Sequence, residues 1–509
     1  MSHPCLVTLD SRSAPRVLFA GDRLVEVALP AGTRVLYPKP PRPELPDLER
    51  AVRDAIEAPF GQQPLEAQLR PGMRVTIAVD DASHPPASPA VPDPRGRVLR
   101  VLLEVLDKQR VVDVEVVVAT GLRRKMTRQE LARMLGERTC RQLTSARLLN
   151  HDPERGSELV AGVDGDSKPI LLNRRAAQSD LLIYLSVWQR PGEPLEQRLL
   201  EGLRGYEPAW LGEALTGAVR RWPSQPNVFA LALVANTRRY AAQFGFLDTN
   251  EDELSGRQRW LLQAALAAGQ RLPPRARQAA WVRARSSLQV QAVFAGSLSL
   301  VDEHVQRRCA EQCAVPLERQ ADVLVTGVPP VTRFNGEAFI NPLLVSAWVR
   351  THLLGLSWRA PLVRRGGTVI LLHPCTDRFD HAQHPAHRDF VHRILPETND
   401  VDQLRERYEH KFVRNPALLA MFRQGAAYHP AHPFVLWYWG QAAKQYLDQV
   451  IVVGADNEYI PHWLGFQTAP SVEAALYRAR QRQPREAELL CLHAPELSLG
   501  DVEAVEAGA

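Results

Sequence analysis

The sequence lacks the short motifs that would place it directly in a common enzyme class. It has no GxGxxG, GxxxxGK[ST] or GxSxG segment, so dinucleotide binding, P-loop hydrolysis and a serine-hydrolase elbow have no local signal. Its 6 cysteines include no CxxC pair, which disfavours a disulfide framework and a zinc ribbon. No apolar run approaches the length that crosses a bilayer, and residues 1–21 show no signal-peptide pattern. We therefore expect a soluble, cytoplasmic protein with reduced thiols and no membrane partner.

A strong excess of one charge is also missing. The 62 Lys and Arg residues against 57 Asp and Glu residues give a formal charge of +5. Over 509 residues this excess is too dilute to indicate nucleic-acid binding. The hydrophobic fraction of 45% is typical of globular cores, and the length allows about two to four domains.

Strand-like and helix-like patterns alternate along most of the chain. A T-x-x-E capping box at Thr127 and Glu130 begins one helix, and Gly136 ends it. Another helix is predicted over 95–110. Alternation at this spacing predicts parallel sheets with right-handed crossovers, and so an α/β fold. The predicted strands are 73–81, 111–119, 180–187, 227–236, 288–296, 321–328, 366–374 and 448–455.

We expect two α/β domains, a division that rests on a family resemblance rather than on this pattern alone. The first covers 1–300 and contains a polar, Arg- and Gln-rich, helical insertion at 248–283. The second covers 301–490, and its final strand–helix segment is left open to packing on the first domain. Residues 491–509 form an acidic tail that we expect to be loose.

Two loops should meet at one edge of the first sheet. "DDASHPP" (80–86) and "GLRRK" (121–125) each follow a predicted strand, and in parallel sheets such loops emerge on the ligand-binding edge. Cations before a capped helix suit an anionic ligand, since arginine can grip a carboxylate with two N–H groups. A solvated basic turn and ordinary turn-forming residues are the plainer interpretation. The candidate substrate-binding residues are Asp81, Ser83, His84, Arg123 and Arg124.

Three other segments have simpler structural explanations than a functional site. The histidines of the segment 373–392 could hold a metal, but their spacing does not form a helical ligand face, so a polar loop over a sheet edge is favoured. Cys309 and Cys313 are four apart on a probable helix, which favours core packing. The aromatic block 432–441 favours a buried helix or an interface. No metal ligands are assigned.

Several ordered segments resemble the nickel-dependent lactate racemase family. "VTIAVDDASHPP" looks like the family's strand and Asp-x-Thr-Arg-Pro loop, and "VVVATGLRRKMTRQELARMLG" is similar to its Ala-Thr-Gly-Thr-His-Arg-Pro-Met-Thr segment. "LNHD" (149–152) and the later strands, through "DQVIVVGADNEYIPHWLGFQTAP", follow in the family's order. The resemblance covers most of 45–490. It implies two α/β domains with the active site in the cleft between them.

The resemblance also implies a chemistry. The family moves a hydride from and back to the carbon of a 2-hydroxy acid, with a nickel-pincer cofactor tethered to a lysine. Two histidines act as general acid and base, and a further histidine binds the nickel. These groups must be present for the family's route to operate.

The chain departs from the family where those groups belong. After the strand at 180–187 it reads "WQRPGEPLEQRLLEGLRGYEPAWLG" (188–212), with no lysine between Lys168 and Lys411. Arg123 stands where the family has a histidine, and His84 where it has an arginine. Among later positions Asn341 is kept, but two polar partners are replaced. Those replacements are Leu344 and Ala347.

We therefore expect no nickel-pincer cofactor and assign no catalytic residue. The first hypothesis is a binder of small carboxylates, or a non-catalytic paralogue, on the lactate racemase scaffold. The alternative is an active racemase, epimerase or other isomerase with a remodelled site. A third hypothesis is a metal hydrolase built from the histidines of 373–392. The ligand's identity and the oligomeric state stay open.

Overall fold

A computed structural model gives the fold of most of the chain. It describes residues 4–83, 93–143, 147–216, 220–224, 226–329, 341–350, 361–425, 427–484, 486–494 and 499–502. Nineteen strands are present in these ranges: β1 Leu6–Thr8, β2 Arg16–Ala20, β3 Arg23–Val27, β4 Arg34–Leu36, β5 Arg74–Asp80, β6 Asp113–Ala119, β7 Leu148–Asn150, β8 Leu159–Val163, β9 Pro169–Asn173, β10 Leu181–Trp188, β11 Asn227–Ala235, β12 Val290–Gly296, β13 Ala314–Leu317, β14 Ala321–Gly327, β15 Val363–Leu372, β16 Gln449–Val453, β17 Gln467–Ala469, β18 Leu489–Leu492 and β19 Leu499–Val502.

Helices connect most of these strands. The α-helices in the described ranges are α1 Leu48–Glu57, α2 Leu65–Gln68, α3 Pro94–Lys108, α4 Arg128–Leu135, α5 Glu137–Gln142, α6 Arg174–Ala177, α7 Leu195–Leu203, α8 Pro208–Thr216, α9 Gly256–Arg271, α10 Pro274–Ala284, α11 Leu298–Cys313, α12 Pro342–Trp348, α13 Pro385–Asp389, α14 Val401–Gln403, α15 His410–Val413, α16 Pro416–Arg423, α17 His432–Trp439, α18 Gln441–Tyr446, α19 Tyr459–Trp463 and α20 Val472–Arg482. Two of them, α13 and α14, continue into π-helical turns at Phe390–Ile394 and Leu404–Glu409.

The first sheet has the strand order β12-β11-β10-β5-β6-β7. All neighbours pair in parallel except β11 and β12, which are antiparallel. One face packs through Ile77 and Val116 against α1, α3 and α4, and the other packs through Ala78 and Tyr184 against α7 and α11. Burial on both faces explains why these strands read as nearly continuous apolar runs.

The second sheet has the order β1-β4-β18-β14-β15-β16-β17 and is parallel apart from the β1–β4 pair. It combines the N-terminal strands β1 and β4 with strands from the second half of the chain. The helix α20 packs on β15, β16 and β17. The eight predicted strands and the mostly parallel α/β class are confirmed. The domain boundary at residue 300 stays a prediction. The second sheet contains strands from both sides of residue 300, because β4 pairs with β18.

The predicted insertion is helical and packs on the N-terminal hairpin of β2 and β3. Phe19 and Leu24 of the hairpin meet Leu262 and Leu266 of α9 in one apolar cluster. Glu251, which is 5% exposed, lies next to this cluster and bonds to three separate segments, at residues 16–17, 37 and 493. Its carboxylate accepts hydrogen bonds from Arg16 Nη1 at 3.3 Å, Val17 N at 2.7 Å, Tyr37 Oη at 2.6 Å and His493 Nε2 at 3.0 Å.

Three further predictions concern the C-terminal tail, the cysteines and membrane-spanning segments. Where a loose tail is predicted, β19 pairs in parallel with β13, so these four residues are hydrogen-bonded to the body. Cys309 and Cys313 are buried on α11, as the core-packing interpretation requires, and all six cysteines are free thiols. In the described ranges, no helix combines the length and the apolar character that spanning a membrane requires.

Candidate functional site

The two predicted loops meet at the carboxyl edge of the first sheet, because β5 and β6 are parallel neighbours there. The basic turn after β6 begins at Gly121, whose φ is +55°. A Cβ on Gly121 would lie 2.4 Å from the carbonyl oxygen of Glu201 on α7, and its N–H donates to Gly202 O at 3.1 Å. Only glycine fits this close approach of turn and helix. The turn then runs into the capping box of α4.

Arg123 is the cation that points back to the neighbouring loop. Its Nε donates to Asp81 Oδ2 at 2.6 Å, and its Nη2 donates to Ala119 O at 3.0 Å. Asp81 Oδ1 accepts from the hydroxyl and the N–H of Ser83, at 2.5 and 3.1 Å. The structure therefore brings together Asp81, Ser83 and Arg123. His84, another of the five predicted residues, lies outside the described residues.

The other two cations of the turn are occupied by the chain itself. Arg124 donates to both oxygens of Glu130 on α4, and its Nε donates to Gln383 Oε1 at 3.1 Å. Lys125 Nζ lies 2.6 Å from Asp152 Oδ2. Each of the three cations thus faces a carboxylate of this chain. The guanidinium of Arg124 holds the turn to α4 and to the second half of the chain.

The second half of the chain closes over this turn. His429 N donates to Leu122 O at 3.1 Å, directly beside Arg123. His429 Nε2 lies 2.9 Å from Glu154 Oε1, and the Lys125 ammonium lies 5.4 Å from the Phe422 ring. These contacts place the start of α17 against the edge of the first sheet.

Three buried histidines and a tyrosine lie at this junction. The residues are His384, His387, Tyr428 and His432, all 6% exposed or less. His387 Nε2 lies 3.0 Å from His432 Nδ1, and the Tyr428 and His432 rings are 4.8 Å apart. Burial lowers the pKa of each histidine, to about 4 for His384. The Arg123 charge lowers the pKa of His432 further. The three histidines are therefore neutral near pH 7.

The structure corrects the interpretation of 373–392 as a polar loop. His373, His384 and His387 are fully buried, because Pro385 begins a helix that turns the latter two inward. His381 and His392 lie at the surface side, and His392 Nε2 is 2.7 Å from Asp377. Within the described part of the chain, no three His, Cys, Asp or Glu side chains are placed to hold one metal ion.

The sequence interpretation missed two groups at this junction. His432 was assigned only to an aromatic block, although the tetrapeptide HPAH occurs twice, at 384–387 and 429–432, and this repeat could have drawn attention to it. Glu201 on α7 is the other group. Burial and the charge of Glu193 raise its pKa to about 7, and Gln197 Nε2 donates to it at 2.9 Å. Nothing in its local sequence signals this environment.

Asn341 has a structural role. Its side-chain oxygen accepts from the N–H groups of Leu343 and Leu344, which caps α12. Leu344 and Ala347 are buried in the core of the second sheet. This packing accounts for the apolar residues at positions where the resemblance predicts polar ones.

One family model and two solved structures are similar to this chain. Residues 20–188 match the family model of the lactate racemase N-terminal domain. The structure is similar to that of the lactate racemase apoprotein from Thermoanaerobacterium thermosaccharolyticum, with a TM-score of 0.59 and 14% identity, over 96% of this chain and 100% of that one. A crystal structure of a protein from Thermotoga maritima matches with a TM-score of 0.44 and 11% identity, over 90% and 97% of the two chains.

No curated protein matches the chain by sequence. At 14% identity the match to the apoprotein shows a shared fold, and the family model matches residues 20–188, about a third of the chain. Residues 20–188 are therefore similar to the lactate racemase N-terminal domain, and the chain shares the fold of the lactate racemase apoprotein over 96% of its length.

Proposed function

We propose that this chain binds a small carboxylate at Arg123 and does so without the family's tethered nickel cofactor. The observation that carries this proposal is the hydrogen bonding of the Arg123 guanidinium, which leaves one of its nitrogens available. Asp81 and Ala119 occupy Nε and Nη2, and no described residue accepts a hydrogen bond from Nη1. The side chain is 22% exposed, so solvent reaches it at the sheet edge.

The pairing with Asp81 orients the arginine for a ligand. A guanidinium has five N–H donors in one plane, and fixing two of its nitrogens fixes the direction of the third. The local charges are already balanced in pairs, so an anion would be held by directed hydrogen bonds more than by surplus charge. Charge-assisted bonds of this kind are short and strong compared with neutral ones. We therefore expect selectivity for a carboxylate over a monovalent inorganic anion.

The segment that should hold the cofactor does not fit it. In the family, the tether lysine follows the strand equivalent to β10. Here Trp188 ends that strand at 3% exposure, and Arg198 stacks on its ring at 4.4 Å while pairing with Asp80 at 2.7 Å. No lysine lies between Lys168 and Lys411, and the match to the family model ends at 188. Tryptophan and arginine cannot replace the lysine linkage, and we derive no step through this cofactor.

An active isomerase with a remodelled site is the second candidate. The observation that favours it is the cluster of titratable groups beside Arg123. The Glu201 carboxyl group, with its pKa raised to about 7, is suited to moving a proton near neutral pH. On this hypothesis the same carboxylate site would turn over its ligand.

Calorimetric titration with D- and L-lactate, pyruvate and propionate tests the binding. Arg123→Ala should weaken binding by about tenfold to a hundredfold, since a hydrogen bond to a charged group contributes about 1.5–3 kcal/mol. Arg128→Ala is the matched control, because Arg128 is an exposed cation on the adjacent α4. Equal binding by both variants would remove Arg123 from the site, and absence of binding by the native chain would refute the proposal.

Nickel analysis together with intact-mass measurement tests the second part of the proposal, that the chain lacks the tethered nickel cofactor. Protein made in cells that synthesise the nickel-pincer cofactor should be nickel-free and have the mass of the bare chain. Stoichiometric nickel or an added mass would show that another residue holds the cofactor. Incubation of each lactate enantiomer, followed by chiral analysis, then separates a binder from an isomerase.

A further inference from the structure

We propose that a cavity outside the Arg123 site binds an aromatic carboxylate. This N-terminal cavity is lined by residues from 4–7, 37–41 and 237–253 and has a volume of about 520 Å³. Small-molecule sites usually have volumes of about 300–1,000 Å³. None of the described residues that line it belongs to the loops after β5 and β6, and β10 separates β5 from β11, the strand before 237–253. The inference therefore does not rest on the proposed function.

Hydrogen bonds hold the three lining segments together. Tyr37 N donates to Cys5 O at 2.8 Å, which fixes the segment after β4 to the segment before β1. Asn236 Nδ2, just after the end of β11, donates to Arg42 O at 2.8 Å. Three prolines restrict the backbone between these two contacts. The walls are therefore fixed by the chain itself, and a ligand need not order them.

Flat, rigid rings form much of the wall. Four prolines line the cavity together with the rings of Tyr37 and Tyr240, which are 5% and 7% exposed. Tyr37 Oη donates to Glu251 Oε2 at 2.6 Å, and the Arg239 guanidinium lies 5.0 Å from the centre of the Tyr240 ring. Aromatic rings in contact stabilise each other beyond the area that they bury. An aromatic ligand is therefore favoured over an aliphatic one of the same size.

The acidic groups of the cavity are bonded to neighbouring side chains. Asp248 accepts from Arg239 Nε at 3.0 Å, so an arginine balances its charge. Glu253 is exposed and accepts from Asn250 Nδ2, a neutral donor, at 3.2 Å. Glu253 is therefore the one lining carboxylate that no described cation pairs with.

Two cations outnumber this carboxylate. Lys39 Nζ donates to the main-chain oxygen of Glu311 at 3.2 Å, and the Arg238 side chain is exposed. Among the described residues, neither cation has a carboxylate within ion-pair distance. The lining is therefore net positive, which favours an anionic ligand. A carboxylate suits Arg238, because two N–H groups of a guanidinium can bind its two oxygens in one plane.

Thr237 is an independent indication of a ligand. This residue precedes Arg238, lines the cavity and is 4% exposed. Its hydroxyl has no hydrogen-bond partner among the described residues. A buried hydroxyl without an acceptor is unfavourable, and an oxygen of a carboxylate held by Arg238 would supply one. The carboxylate of the ligand then lies at Thr237 and Arg238, with its ring against the tyrosines and prolines.

Calorimetric titration of the full chain with 2-naphthoate tests the inference. Two probes of similar size isolate its two features, since decahydro-2-naphthoate lacks the aromatic ring and 2-naphthalenemethanol lacks the charge. 2-Naphthoate should bind about twofold to tenfold more tightly than the first, and about tenfold or more tightly than the second. Equal affinities within either pair would overturn the ligand class. Absence of 2-naphthoate binding would overturn the inference and leave binding of three-carbon acids at Arg123 standing.

Substitutions separate this cavity from the Arg123 site. Arg238→Ala should weaken 2-naphthoate binding by about tenfold or more. Arg257→Ala is the matched control, because Arg257 is an exposed cation on α9 that does not line the cavity. Arg123→Ala should leave 2-naphthoate binding unchanged. Weaker binding by Arg123→Ala, together with unchanged binding by Arg238→Ala, would overturn the inference and place the aromatic acid at the other site.

A pair of tryptophan variants tests the cavity itself. Gly245 lines it, and a Cβ there meets nothing within 4 Å, so Gly245→Trp has room to fold and should abolish 2-naphthoate binding by filling the cavity. Gly256→Trp, at the start of α9, has the same room away from the lining residues and should bind as the native chain does. Equal binding by the two variants would contradict the inference.

Thr237→Val removes the hydroxyl and keeps the shape of the side chain. Because this hydroxyl has no partner in the described chain, the variant should melt at a higher temperature without ligand and bind 2-naphthoate about twofold to tenfold less tightly. A hydroxyl with a purely structural role would give a lower melting temperature and an unchanged affinity. That result would overturn the placement of the carboxylate.

Discussion

Glu201 offers a quantitative test of the electrostatics at the sheet edge. Burial and the charge of Glu193 raise its pKa from the ordinary value of 4.5 to about 7. Below pH 4.5 the folded and unfolded chains both hold this proton. Between pH 4.5 and 7 the unfolded chain releases it while the folded chain keeps it, so the free energy of unfolding falls as pH rises and levels off above 7.

The size of this fall follows from the pKa difference. At 1.36 kcal/mol for each pKa unit, a rise from 4.5 to about 7 corresponds to about 3 kcal/mol. Part of the Glu201 side chain contacts solvent, which screens the charge, so we expect about 1–3 kcal/mol. Glu201→Gln should remove this contribution, because glutamine stays neutral at every pH. The variant should gain stability relative to the native chain at pH 8 but not at pH 5.

Urea unfolding of both proteins at several pH values between 5 and 8 measures the difference. Glu193→Gln is an informative companion, because removing that negative charge should lower the pKa of Glu201 and weaken the pH dependence. Carboxylate affinity gives a second readout, since an ionised Glu201 offsets the Arg123 charge and should weaken anion binding above pH 7. Parallel pH curves for native and Glu201→Gln proteins would refute this account of the site.

Two substitutions elsewhere test the packing that supports the site. Glu251→Ala leaves its four donors without their shared acceptor and should cost about 3–5 kcal/mol, seen as a lower urea midpoint, whereas the exposed Glu253→Ala should change it little. Gly121→Ala places a methyl group 2.4 Å from the Glu201 carbonyl at a φ of +55° and should lower the melting temperature. Gly156→Ala, which meets nothing within 4 Å, should not, and equal shifts would contradict the close approach.

Local sequence patterns were enough to predict the strands and helices of each half of the chain and the parallel pairing of the strands. Runs such as 73–81 and 111–119 are buried on both faces, so their apolar character is strong and their parallel pairing follows from the helices between them. The capping box at Thr127 is likewise a local signal, and the structure has both of its hydrogen bonds. The joining of β4 to β18 was beyond such reasoning, because it connects residues more than 450 positions apart and leaves no local pattern.

In the candidate site, too, some features were predictable from local sequence and others depend on contacts between distant segments. That the loops after β5 and β6 meet was predictable from parallel topology, and Asp81 and Arg123 do meet there. The partners of Arg124 and Lys125 were not predictable, because Gln383 and Asp152 reach the turn only through tertiary packing. His432 was hidden for another reason. His432 lies among aromatic residues in the sequence and so resembles a core residue. Its pairing with His387 is visible only in the folded chain.

Under the proposed function, the three cations of the turn serve two purposes. Arg124 and Lys125 are paired with Glu130 and Asp152 within the chain, and breaking those contacts would leave the two carboxylates without these partners. Arg123 differs because its partner holds one side of the guanidinium and leaves the other unused. A basic turn kept only for solubility would not need a buried aspartate to orient one arginine or a neutral histidine beside it. That combination is expected where the direction of a donor matters, and directional donors are what binding a small carboxylate requires.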